Sequence, residues 1–265
     1  MTTPLSKEPR RFAPLKEGIE NTGGAPKLKG IVFDVDGTLC VQQNYMFGQM
    51  RSALNITKST DILDHCHSLP LTECEEALEK IRAIERAAMV HQEAQPGLVP
   101  LMTYLESKNI PKGICTRNFE TPVNHLLGKF LEGKTFSPIV TRESRPPKPS
   151  PEGILFIAKS WGFVGDDGKG VGEGLIMVGD SIDDCTAGHR AGAATVLLVN
   201  EMNAHLATHE HTDLVISRLD ELIEILEKGF VGRIARGDED NDLKGARRVC
   251  CGKERGKNKA AKQRR

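Results

Sequence analysis

A chain of 265 residues that is 38% hydrophobic can bury a sizeable core, which excludes disorder throughout. Its 36 Lys plus Arg cancel its 36 Asp plus Glu, so the whole molecule has no net pull toward nucleic acid or an anionic membrane. No stretch approaches the roughly 18 apolar residues of a spanning helix, and seven cysteines without paired spacing point to a reducing compartment.

Residues 1–28 carry Pro4, Pro9, Pro14, Gly23, Gly24 and Pro26 with little periodicity, the pattern of an extended or disordered leader. The fold is expected to start near Leu28. Ile31, Val32 and Phe33 form an apolar strand that ends abruptly in Asp34, Val35, Asp36, Gly37 and Thr38. Residues 43–93 are rich in helix formers, with Leu78, Ile81, Ile84 and Ala88 at three- to four-residue intervals, and read as an all-helical insert. A helix over Leu98–Lys108 then leads to a strand at Gly113–Cys115.

From there the patterns alternate. Helices are expected at Pro122–Leu131, Glu152–Trp161, Asp183–Ala191 and Leu219–Lys228, and strands at Pro138–Val140, Leu175–Val178, Ala194–Val199 and Leu214–Ser217. Such alternation implies an α/β fold, a Rossmann-like parallel sheet covered by helices on both faces. The expected division is a core of 29–42 and 94–230, a helical cap at 43–93 and a charged, disordered tail at 231–265. The tail holds Asp238, Glu239, Asp240 and Asp242 and then, over 244–265, a basic run in which Glu254 is the only acid.

Four segments at strand ends or in the loops after them bear chemistry. Asp34 and Asp36 precede a Gly-Thr turn, Thr116 follows an apolar strand, Lys148 sits in a proline-stiffened loop, and Asp180, Asp183 and Asp184 follow the strand at Leu175. Each has a bland reading by itself: a turn, a cap, a solvated charge, or acids favourable to a helix dipole. Together they are harder to dismiss, because carboxylates gathered at one sheet edge repel unless a cation sits among them. Mg²⁺, which takes carboxylate, phosphate and water oxygens, resolves the conflict. Lys148 and the Thr116 hydroxyl then serve an oxyanion-rich substrate.

The ordered set DxDGT, strand-end Thr, loop Lys and GDxxxD resembles the haloacid dehalogenase superfamily of phosphohydrolases over about residues 29–228. The insert resembles the small helical cap of its phosphoglycolate phosphatase and β-phosphoglucomutase subgroup, and the runs GTLC, ICTRN and VTRE before RPPKP resemble poorly characterised fungal hydrolases of the superfamily. The resemblance implies Asp34 as nucleophile, Asp36 as general acid and then base, Thr116 holding a phosphate oxygen with Arg117 and Asn118 as further substrate contacts, and Lys148 binding the substrate and stabilising the transferring group. It implies an Mg²⁺ site of Asp34, Asp180 and the Asp36 backbone carbonyl, with Asp184 as the further acid and Asp183 as the close alternative. Haloalkanoate dehalogenases lack an acid at the second Asp, so Asp36 favours phosphate ester cleavage.

The expected activity is hydrolysis of a small phosphorylated metabolite, with a phosphomutase, or a binding protein that works through the tail, as alternatives. Asn44, Tyr45, Gln49 and Arg51 of the cap are candidate specificity contacts because they follow the first motif closely. The glycines from Gly165 to Gly174 lack phosphate-loop spacing, Asp238–Asp242 lack the glycine and closing Glu of a calcium loop, and His65-Cys66-His67 lacks distant zinc partners. The basic tail suits nucleic acid or an import receptor, with Cys250 and Cys251 adjacent to it. The cytoplasm is the expected compartment, with the nucleus as a further one that the basic tail allows.

Overall fold

Every residue of β1 (Gly30–Phe33) is buried, and its side chains alternate between two apolar clusters. Ile31 and Phe33 face one helical layer and Val32 the other, so a continuous apolar run is what a doubly covered strand requires. The chain then leaves the core through α1 (Tyr45–Leu54), α2 (Ile62–Ser68) and α3 (Leu71–Met89). It returns through α4 (Leu98–Ser107), β2 (Lys112–Cys115), α5 (Glu120–Phe130), β3 (Ile139–Val140) and α6 (Glu152–Ser160). The remainder is β4 (Leu175–Gly179), α7 (Ile182–Ala191), β5 (Ala194–Leu198), β6 (Leu214–Ile216) and α8 (Glu221–Lys228). The bounds of the core elements match the expected ones to within two residues, the three cap helices resolve what reads from the sequence only as a helical insert, and a 3-10 turn at Ala204–Thr208 is an addition.

The structure is a computed structural model that describes residues 9–233, all within one compact unit. The tail's acidic and basic runs and Cys250–Cys251 lie outside the described residues. No helix among the described residues is long and apolar enough to cross a membrane.

All pairings in the six-stranded sheet are parallel, in the order β3-β2-β1-β4-β5-β6. β1 therefore connects outward to β2 on one side and is flanked by β4 on the other, and the crevice at its carboxyl end is a topological switch point where ligands bind. Leu101, Leu105, Leu126, Leu222 and Leu226 of α4, α5 and α8 cover one face, and Ile154, Ile157 and Ala187 of α6 and α7 cover the other. The insert packs its own cluster, built on Met46, Met50, Leu63, Cys66 and Ile81.

The fold begins earlier than Leu28. Phe12 is buried against Phe230, with ring centroids 5.5 Å apart, and the Phe12 N–H donates to the Phe230 carbonyl at 3.0 Å. Arg11 and Val231 form an antiparallel bridge, and the Leu15 N–H donates to the carbonyl of Leu226. Part of the leader is thus packed on the core, because Phe12 fills a slot beside Phe230 and Leu15 packs against the same cluster.

Candidate active site

The site is assembled from the ends of β1, β2 and β4 and the loop after β3. The Asp34 N–H still donates to the Val178 carbonyl at 3.0 Å, so the nucleophile candidate is held by the sheet ladder itself. Beyond it, Gly37 adopts φ +83°, and a Cβ there would fall 2.2 Å from Asp180 Oδ2. Only glycine permits that turn and that approach together.

Lys148 is buried and donates to Asp34 Oδ1 at 2.7 Å and to Asp184 Oδ1. α7 fixes Asp184 through a capping box: Ser181 is the N-cap, and its N–H donates to Asp184 Oδ2 at 3.0 Å. One oxygen from each of Asp34, Asp180 and Asp184 lies within 4.8 Å of the others, and all three residues are buried. These hard oxygens fit a divalent cation of the Mg²⁺ type. Burial pushes Asp180 up to about 8, with the charges of Asp184 and Asp34 adding to it. Asp34 is lifted to about 7, by burial first, while Lys148 pulls it down.

Asp183 points to other work. It takes Arg117 Nη1 at 2.7 Å, while Nη2 of the same guanidinium reaches Asp61 at the N-cap of α2, also at 2.7 Å. Asp184 is therefore the acid of the cluster, and Asp183 joins core to cap. Arg117 lines the cavity above this cluster with its guanidinium tied to two carboxylates.

Asp36 accepts from Asn118 Nδ2 at 2.8 Å, and burial raises its carboxyl from the ordinary value. Asn118 also lines the cavity, and its amide is engaged on both sides: its Oδ1 accepts from the Phe119 N–H at 2.8 Å. Thr116, buried at the end of β2, lines the same cavity and its Oγ1 accepts from the Asn118 N–H at 3.1 Å.

The cavity holds about 240 Å³. Its floor is Asp34, Asp36, Thr116, Lys148 and Asp180, and its roof is Met46, Phe47, Met50, Arg51, Ile62 and Leu63 of the cap. Of the four cap candidates only Arg51 lines it; Asn44, Tyr45 and Gln49 do not. The phase of α1 explains this, since Met46, Met50, Phe47 and Arg51 fall at i and i+4 on the inward side while Tyr45 and Gln49 are exposed.

One buried ion pair in the lining escapes the sequence reading. Arg142 forks onto Glu85 with N–H to oxygen distances of 2.9 and 2.7 Å, both side chains buried. Burial lifts Glu85 to about 7 against the pull of Arg142. The signal lay in α3, where Ala77, Ile81, Glu85 and Ala88 share a buried face and the one acid in that stripe demands a cation from elsewhere.

A family model described as haloacid dehalogenase-like hydrolase matches residues 28–192. The chain belongs to the haloacid dehalogenase-like hydrolases. An uncharacterised hydrolase of Saccharomyces cerevisiae is 42% identical over 213 residues, 79% of this chain and 94% of that protein. A haloacid dehalogenase-like hydrolase domain-containing protein of Arabidopsis thaliana is 33% identical over 188 residues, 67% of this chain and 73% of its own length. Among solved structures, a hydrolase of Pseudomonas syringae superposes with a TM-score of 0.60 at 20% identity, covering 76% of this chain and 98% of that one. CbbY of Rhodobacter sphaeroides, in complex with phosphate, gives 0.55 at 19%, covering 74% and 96%. At these identities the likeness to the solved structures is one of fold.

Proposed function

We propose that this haloacid dehalogenase-like hydrolase cleaves the phosphate monoester of a small metabolite by way of an aspartyl-phosphate on Asp34, with Mg²⁺ as cofactor. The observation that carries the reading is the buried contact between Lys148 and Asp34, 2.7 Å long, beside an acid cluster at the carboxyl edge of the sheet. A nucleophilic carboxylate needs a neighbour that keeps it from repelling the phosphate, and a strand end that fixes its direction.

In the first step an Asp34 carboxylate oxygen attacks phosphorus as the bond from phosphorus to the alkoxy oxygen breaks. Asp36 delivers its proton to the departing oxygen, and the lift that burial gives its carboxyl is in the right sense for a group that must arrive protonated. Lys148 balances charge on the transferring group, and the Thr116 hydroxyl donates to one of its oxygens. In the second step Asp36 takes a proton from water, whose oxygen attacks the phosphorus and frees Asp34. Mg²⁺, held by Asp34, Asp180 and Asp184, would screen the phosphate charge from these carboxylates.

The cap sets the size of the substrate. A cavity of about 240 Å³ closed by α1 and α2 suits a small phosphorylated molecule and shuts out a macromolecule. A Mg²⁺-supplemented screen of phosphorylated metabolites tests the reading, with Asp34→Asn as the blank. Phosphate release that Asp34→Asn abolishes is expected; release that survives it refutes Asp34 as nucleophile. Turnover without a sugar phosphate primer separates hydrolysis from phosphomutase activity.

A further inference from the structure

Arg142 touches the site from three directions. Its guanidinium forks onto Glu85 of cap helix α3 and lies over the Phe119 ring, 4.9 Å from the centroid. Its backbone N–H donates to the Asn118 carbonyl at 3.0 Å. One buried residue thus grips the 118–119 segment from the core side and the cap from the other. Asn118 in turn has its amide orientation fixed, because the Phe119 N–H occupies Oδ1 and leaves Nδ2 to face Asp36 Oδ2 at 2.8 Å. The other contact to the Asp36 carboxylate among the described residues is the weak one from Cys40 Sγ, 3.8 Å away.

We propose that Arg142 is a positioning residue through which cap helix α3, by way of Glu85, sets the orientation of Asp36. The proposal rests on the reading of Asp36 as general acid. The fork from Arg142 to Glu85 exists only while α3 lies against the core, and lifting α3 hands both charges to water. With α3 in place the Arg142 side chain braces Phe119, the Asn118 amide is held, and the acid is aimed at the leaving oxygen. Chemistry is thereby reserved for the closed cap, since a misplaced acid cannot protonate the alkoxide.

The signature is a dependence on the leaving group. A p-nitrophenolate leaves without a proton, whereas an alkoxide needs one, and general acid assistance is worth about 10²–10⁴-fold. kcat/KM is measured for a series of aryl and alkyl phosphates with the wild-type chain, Asp36→Asn, Glu85→Gln and Arg142→Gln; this constant ends at alcohol release and so sees the acid role alone. Glu85→Gln and Arg142→Gln are expected to lower the alkyl ester constant by about tenfold or more and the p-nitrophenyl constant by no more than about threefold, steepening the slope as Asp36→Asn does.

Should the single variants unfold, a Glu85→Met and Arg142→Met double variant replaces the pair by apolar volume and must show the same steepening. Equal losses across the series, or no loss, overturn the positioning role while leaving the phosphatase reading intact. Failure of the wild-type chain on every ester instead refutes the phosphatase reading, and this proposal with it.

Discussion

Lys148→Met is the sharpest test of the site's electrostatics. The ammonium contacts Asp34 and Asp184, and the three side chains are 3%, 11% and 1% exposed. At 2.7 Å and an effective dielectric constant near 20, the attraction to Asp34 alone is about 6 kcal/mol before desolvation is subtracted. Removing one partner of such a buried pair costs about 3–5 kcal/mol net, because the carboxylates stay behind unmet. For a domain of this size that is a fall in Tm of roughly 6–20 °C. The deficit has a definite pH sense. Asp34 and Asp180 already sit at about 7 and about 8, above the ordinary 3.8. Their raised values give stability that is full below about pH 4 and lost as pH rises through that window. Lys148 opposes that loss, so the variant should be weakest near pH 8 and recover as the medium is acidified to about pH 5. Saturating Mg²⁺ should also restore about 2.7 kcal/mol at a hundred times its Kd. Thermal unfolding followed by circular dichroism at the two pH values, with and without Mg²⁺, is the measurement. An unchanged Tm at pH 8 without metal, or a deficit that acid does not shrink, refutes the reasoning.

Gly37→Ala should impair turnover and Mg²⁺ binding together, since its Cβ at φ +83° falls on the Asp180 carboxylate; titration calorimetry with Mg²⁺ reads it, with at least about tenfold weaker binding expected. Arg51→Ala should change the relative kcat/KM across the metabolite panel, because Arg51 is the cavity guanidinium without a carboxylate partner among the described residues; an unchanged profile removes it from substrate recognition. His189 is pushed down to about 4 by burial first and then by the stacked His211 ring. It therefore contributes stability above about pH 6.5 that is lost as pH falls toward its folded value, and His189→Leu should flatten the decline in Tm between about pH 7 and pH 5.

The strand-end groups were legible because each follows an apolar run whose length fixes where the chain emerges from the sheet. Asp34, Thr116 and Asp180 needed only that register. Motif spacing favours Asp184 over Asp183 without settling the choice, because both begin the same helix, and it is the capping box with Ser181 that turns Asp184 into the cluster and leaves Asp183 to Arg117. Glu85 and Arg142 stand far apart in sequence and meet only after the cap folds back over the core, so no local pattern pairs them. Three of the four cap candidates, Asn44, Tyr45 and Gln49, miss the cavity for a plainer reason: nearness to a motif along the chain says nothing about helical phase, and the phase of α1 turns Arg51 inward and Tyr45 away.

The bridge between Arg11 and Val231 brings the two ends of the described segment side by side, fastened by the paired rings of Phe12 and Phe230. A recombinant version trimmed to begin at Leu28, as motif boundaries invite, would strip Phe230 of its cover and leave a greasy notch for other molecules to stick to. Joining the neighbouring ends by a short linker and reopening the polypeptide at a surface loop should, conversely, yield a circular permutant that folds.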